Sequence, residues 1–197
     1  MTPLPFVWPW WLVFWGVVAW AFTPEFGIVR KAQKAAALPN SKDKGSIQVI
    51  MFGGGLASLV AFPLAWVAAL RWPATWQPAL VVAGAALVIV GSLLRRHCFR
   101  QLGASFTGDV RAEAGQKIVT SGAYQWLRHP SYAAGIVMNV GIGLALGSWA
   151  SLTLLAVATF AVYVYRITVE EQALLGALGE PYREFMQARK RLIPFIY

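Results

Sequence analysis

Cysteine is almost missing from this chain: Cys98 stands alone, so no internal disulfide can form. Histidine is nearly as rare. His97-Cys98 has no further ligand types beside it, so a tetrahedral metal site is not expected, and neither is metal catalysis. There is no CxxC, no HExxH, no Walker phosphate loop and no GxGxxG opening a helix after a strand. Charge is scarce too, at 13% against roughly a quarter in a typical soluble domain. Within it, acid is scarcer than base: eight Asp and Glu against seventeen Lys and Arg, net +9. Such an excess suits nucleic acid only when the bases share a soluble face with aromatics to stack on. Here they fall in the gaps between apolar runs, so nucleic acid is not an expected partner. What remains abundant is apolar: 58% of 197 residues, with ten tryptophans and a mean hydropathy of +0.56. A water-soluble core of this size does not bury ten tryptophans. The composition predicts a single integral membrane domain over 1–197, in contact with membrane lipids.

A transmembrane helix needs about 20 apolar residues, with about 17 the lower limit. Five stretches reach or approach this length and predict an all-α polytopic protein: 6–22, 47–70, 76–94, 132–149 and 150–165. The first lacks the basic flank and small-residue cleavage site of a signal peptide, so it counts as a span. The last two are joined so tightly at Gly147-Ser148-Trp149 that they form an antiparallel hairpin. Lys and Arg number 5, 1, 6, 0 and 5 in the successive segments after each span, so 16 of 17 share one side. The positive-inside bias then puts the N-terminus outside and the C-terminus in the cytoplasm. The substantial polar segments, and with them any active site, are expected at the cytoplasmic face.

In the fourth span Gly135, Asn139, Gly143 and Gly147 recur every four residues and share a helix face. Small residues there admit a neighbouring backbone, and the Asn139 amide needs a partner at that depth. Gly53-Gly54-Gly55 reads as close packing or a kink, and His97 and Cys98 as the rim of the third span. Just before the fourth span, Pro130 suits the first turn of a helix. It would leave the N–H groups of Ser131, Tyr132 and Ala133 free at the positive end of the dipole, beside Arg128 and His129. That is a place for a carboxylate or phosphate, although Arg, His and Tyr are also ordinary anchors at a membrane surface. At the end of the fifth span, Arg166 lies four residues before Glu170 and suits a helical ion pair, leaving Glu171 without a local partner. The hairpin puts the start of span four beside the end of span five. The His129 segment and Glu170-Glu171 should therefore face one another and would suit a zwitterion. Beyond Gly179, where the helix stops, 182–191 forms a short amphipathic helix, either on the lipid surface or folded back as a lid.

Taken together these residues resemble the isoprenylcysteine carboxyl methyltransferase family and the related membrane phospholipid N-methyltransferases. The resemblance is carried by Gln101-Leu102-Gly103 followed by Phe106, Gly122-Ala123-Tyr124, Arg128-His129-Pro130-Ser131-Tyr132, Glu170-Glu171, Gly179-Glu180-Pro181-Tyr182 and the basic stretch ending Leu192-Ile193-Pro194. It covers roughly 100–194. It divides the domain into a three-span part over 1–95, similar only in being hydrophobic, and a methyltransferase-like cofactor-binding part over 96–197. It implies an enzyme that takes S-adenosylmethionine from the cytosol and a lipophilic acceptor laterally from the bilayer.

On that resemblance His129, the amides after Pro130 and Tyr132 take the carboxylate of S-adenosylmethionine. Glu170 or Glu171 takes its ammonium, and Tyr124, Leu102 and Leu192 wall in the adenine. Direct displacement at carbon needs alignment more than acid–base groups. Arg128 is the candidate to position an anionic acceptor, and Glu171 the candidate to accept a proton from an amine. The acceptor stays open among an isoprenylcysteine carboxylate, a phospholipid amine and a small thiol, with a small lipophilic molecule favoured. Two other classes compete: a sterol-type reductase using NADPH, and a non-enzymatic membrane protein in which these charges are anchors.

Overall fold

A computed structural model of the chain describes residues 2–36, 43–103, 117–193 and 197, and everything below concerns these. Six α-helices follow one another: α1 (Trp10–Ala36), α2 (Ser46–Leu64), α3 (Gln77–Leu102), α4 (Pro130–Ala145), α5 (Trp149–Leu178) and α6 (Glu180–Ala188). One 3-10 turn leads into α1, two occupy the α2–α3 connection, and another, Gly122–Gln125, precedes α4. Extended pairing among the described residues is confined to two isolated bridges, Arg71 with Ser148 and Leu127 with Lys190. The architecture is all-α.

Four stretches are long and apolar enough to cross a membrane: Trp10–Ile28, Ser46–Leu64, Ala74–Leu102 and Trp149–Leu178. The expected fourth of five spans is α4, and its 16 residues rise only about 24 Å against a hydrocarbon core of about 30 Å. Boundaries move for local reasons. Pro3, Pro5 and Pro9 delay the first helix to Trp10, since proline lacks the N–H and constrains its predecessor. The second helix stops at Leu64 rather than 70, one residue after Pro63, in tight turns from Ala65 N–H to Phe62 O and from Trp66 N–H to Pro63 O. At the other end α1, α3 and α5 run past the apolar stretch, so Arg95, Arg166, Glu170 and Glu171 are still helical. Helical geometry therefore fixes the spacing of these charged groups.

Packing follows the glycines. α3 lies against α4, α2 and α4 against α5, and α1 against α3. A Cβ on Gly141 would stand 2.7 Å from Gly84 O, and one on Gly84 would stand 2.6 Å from Ala145 N, so α3 and α4 meet backbone to backbone. Gly143 faces Leu152 across the hairpin and Gly135 faces the Tyr163 ring. The four-residue stripe is therefore a packing device, and Asn139 satisfies its amide on its own helix by donating to Gly135 O at 3.0 Å. The hairpin turns at Gly147, whose φ of +67° suits glycine, and Ser148 caps α5 by accepting from Ser151 N–H. Gly53 seats against Val162, while nothing stands near Gly54 or Gly55. Outward faces carry Trp11, Leu12, Phe52, Leu56, Leu59 and Val90 in the open, the surface expected of helices bathed in lipid.

Candidate functional site

The site gathers where α4 begins and α5 leaves the apolar layer. Pro130 is the first residue of α4, as expected, and His129 is its N-cap. The cap corrects one expectation: Tyr132 N–H and Ala133 N–H both donate to His129 O, at 3.1 and 3.2 Å. Of the three first-turn amides, that of Ser131 alone makes no backbone hydrogen bond among the described residues. Positive charge at this helix end therefore comes from side-chain cations more than from free amides.

Those cations converge on one carboxylate. Glu171 is 2% exposed, and its Oε1 lies 3.2 Å from His129 Nε2 and 3.0 Å from Arg128 Nε. Its Oε2 accepts from Arg191 Nε at 3.0 Å and Nη2 at 2.6 Å. The residue with no local partner in sequence thus has three distant ones. Glu170, its neighbour, is half-buried and accepts from the Tyr132 hydroxyl at 2.9 Å. The His129 segment and the glutamate pair do face one another.

Arg166 extends farther than the expected pairing within its own helix. It donates through Nη1 to Asp43 and Ser46 at the start of α2, and through Nε to the Tyr132 hydroxyl at 3.2 Å. Asp43 also accepts from Ile47 N–H at 3.0 Å. Burial pushes the Asp43 carboxyl up, but Ile47 N–H, Arg166 and Ser46 outweigh it and hold the group below its ordinary value. Asp43, Arg166, Tyr132 and Glu170 therefore form one continuous chain of hydrogen bonds across α2, α5 and α4. On the side of α1 and α3, Arg95 pairs with Glu25 at 2.7 Å and donates to Ser131 O at 2.7 Å.

The tail folds back. Arg128 N–H donates to Lys190 O at 2.8 Å and His129 N–H to Arg191 O at 3.1 Å, so 189–191 lies beside 127–129. Arg128 Nη1 donates to Met186 O, and Arg189 Nε to Tyr124 O. The amphipathic helix spans Glu180–Ala188 rather than 182–191, and it buries Tyr182 and Phe185 inward. Burial raises the Tyr182 phenol, and the nearby Glu170 and Glu171 raise it further. Tyr124 is buried in the 3-10 turn Gly122–Gln125, and Leu192 is buried on the tail. Leu102 is half-buried at the end of α3, one residue after Gln101, whose side chain packs on Gly122 and so joins α3 to the Tyr124 turn. Phe106 and Pro194 lie outside the described residues.

Arg191, Asp43 and the Arg95–Glu25 pair are the site residues that sequence reasoning passed over. Arg191 sat unassigned in the basic stretch. Asp43, three residues before Ser46 at a helix start, carried a capping signal.

A phospholipid methyltransferase family model matches residues 79–180. The chain belongs to that family. Its relatives include protein-S-isoprenylcysteine O-methyltransferase B of Arabidopsis thaliana, 34% identical over 115 residues, which are 57% of this chain and 58% of that protein. The protein-S-isoprenylcysteine O-methyltransferase of Xenopus laevis is 32% identical over 124 residues, 62% of this chain and 42% of that protein. The matched region thus spans about half the length of these relatives. The solved structure of a eukaryotic intramembrane Ras methyltransferase, isoprenylcysteine carboxyl methyltransferase, superposes with a TM-score of 0.61 at 21% identity, covering 94% of this chain and 85% of that one. This family member therefore shares a known membrane-enzyme fold, and with its apolar helices it is an integral membrane protein. Both glutamates, the His-Pro segment and Tyr124 fall inside the family match. Arg191, Leu192 and Asp43 fall outside it.

Proposed function

We propose that this chain is an S-adenosylmethionine-dependent methyltransferase whose site faces the cytoplasm, and that its acceptor is a small lipophilic molecule resembling an isoprenylcysteine carboxylate. The observation that carries the reading is the pairing of opposite binding surfaces on adjacent residues of α5. Around Glu171 two guanidinium groups share one carboxylate, which leaves net positive charge beside the start of α4. One residue away, Glu170 is half-buried and takes one side-chain hydrogen bond among the described residues, from the Tyr132 hydroxyl, with Arg166 behind that phenol. An amino-acid end group, with its carboxylate and ammonium, matches that polarity. The adenine side has its own fit: Gln101 Oε1 is buried, has no hydrogen-bond partner among the described residues, and stands beside the turn carrying Tyr124.

S-adenosylmethionine supplies an electrophilic methyl group on a sulfonium, so the protein has to bind, orient and exclude water. Arg191, whose side chain is 28% exposed, and the Ser131 amide would hold the carboxylate. Both Glu171 oxygens are engaged, so Glu170 is the carboxylate left for the ammonium, by a charge-assisted hydrogen bond. Pro130 and Tyr132 fix the start of α4 that these groups share. Tyr124, Leu102 and Leu192 would wall the adenine, and Arg128 would orient an anionic acceptor. The open apolar faces of α1 and α2 support arrival of that acceptor from the bilayer.

A phospholipid amine is the second reading, favoured by the family model. The test is methyl transfer from labelled S-adenosylmethionine by the detergent-purified protein, to N-acetyl-S-farnesylcysteine or to phosphatidylethanolamine vesicles, with calorimetry against S-adenosylhomocysteine. A base-labile methyl ester on the first is expected, and label on the second would move the assignment to the amine. Glu170→Gln should weaken S-adenosylhomocysteine by roughly 10- to 100-fold, the range of a hydrogen bond to a charged group. A folded wild type that binds no S-adenosylhomocysteine would end the reading.

A further inference from the structure

The Glu171 cluster fixes more than the position of its neighbours. A carboxylate flanked by Arg128 and Arg191 is ionised and can only accept hydrogen bonds. His129 Nε2, 3.2 Å from Oε1, must therefore carry the proton of that contact. The imidazole is 4% exposed, and its α4 N-cap position and the His129 N–H to Arg191 O bond hold the backbone beneath it. Its other nitrogen, Nδ1, bonds to no protein group among the described residues.

We propose that Glu171 is a positioning residue, with Arg191 aligning its second oxygen, and that it locks His129 in the Nε2–H tautomer so that Nδ1 offers a lone pair to the ligand. His129 then receives a hydrogen-bond donor, such as an ammonium or a sugar hydroxyl, and does not bind a carboxylate. The carboxylate belongs to Arg191 and the Ser131 amide. This reverses the role that the family resemblance suggests for His129, and it separates the two glutamates: Glu170 touches ligand, Glu171 sets the histidine. The tautomer is a property of the ligand-free protein. Only the identity of the donor rests on the proposed function.

The chain has two histidines, which makes the test direct. Long-range proton–nitrogen correlation spectra of nitrogen-labelled protein in detergent at neutral pH report the tautomer of each ring, and His97→Gln, at an exposed site on α3, assigns the remaining signals to His129. The expected result is a single Nε2–H tautomer in the wild type. Glu170→Gln should leave it unchanged, whereas Glu171→Gln, whose amide can donate as well as accept, should give mixed tautomers. An Nδ1–H tautomer or a doubly protonated ring in the wild type would overturn the proposal, as would an unchanged His129 spectrum in Glu171→Gln. Since the wild-type spectrum decides the tautomer, a Glu171→Gln variant that fails to fold leaves the test intact. Adding S-adenosylhomocysteine should then move the His129 Nδ1 signal. A fixed tautomer whose Nδ1 signal stays put while calorimetry shows S-adenosylhomocysteine bound would refute the donor assignment alone, whereas no binding by calorimetry would end the cofactor reading, and neither outcome touches the positioning role of Glu171.

Discussion

Removing Asp43 should be among the most damaging single changes, although it lies outside the family match and far in sequence from the glutamates. Asp43 and Arg166 are each 3% exposed, and the carboxylate also caps α2 through Ile47 N–H and Ser46. Asp43→Ala leaves a guanidinium buried without its counter-charge, which costs about 3–5 kcal/mol. For a chain of this size that is a fall in Tm of roughly 6–20 °C. Replacing Arg166 as well, by Met of similar length, removes the stranded charge. The double variant loses the cap and the bond to Tyr132 but no longer buries an unpaired ion, so it should be more stable than Asp43→Ala alone. The assay is thermal unfolding in detergent followed by tryptophan fluorescence, run on wild type, both single variants and the double. Strong non-additivity is the prediction. If the double variant loses as much as the two singles combined, Asp43 and Arg166 share no coupling, and the hydrogen-bonded chain from α2 to Glu170 is not an energetic unit.

The same carboxylate gives a pH dependence. Its folded-state pKa lies below the ordinary 3.8, so its contribution is present above that value and is lost as pH falls through the lower folded value. Thermal melts should therefore show an acid limb below about pH 4 that is shallower in Asp43→Asn, and identical limbs would remove Asp43 as its source. Gly84→Ala sets a methyl against Gly141 O and Ala145 N, backbone atoms that cannot rotate away. It should cost about 1–3 kcal/mol. Gly54→Ala, with nothing within 4 Å, should be neutral or gain up to about 1 kcal/mol from the lower chain entropy of alanine. Equal melting temperatures for the two glycine variants would contradict the α3–α4 packing.

What the sequence disclosed and what it hid divide along the reach of each interaction. The hairpin was readable because Gly147-Ser148-Trp149 is local, and it alone brought His129 within range of Glu171 across 42 residues. Pro130 at the head of α4 and the stop at Gly179 are likewise local rules that survive folding. Helix ends were misjudged where hydropathy was the only guide. A membrane sets where apolar residues stop, whereas backbone hydrogen bonding continues through Arg95 and Glu171. Long-range side-chain partners stayed hidden for a different reason. The i,i+4 rule describes an isolated helix, but Arg166 is buried among three helices and reaches a carboxylate 123 residues away. Local pairing offers a few tenths of a kcal/mol, and a buried partner offers far more. A charged residue at the edge of an apolar run is therefore better assigned by asking which buried countercharge its fold can bring to it. For Glu171 that question yields Arg191, which no spacing rule within α5 could name.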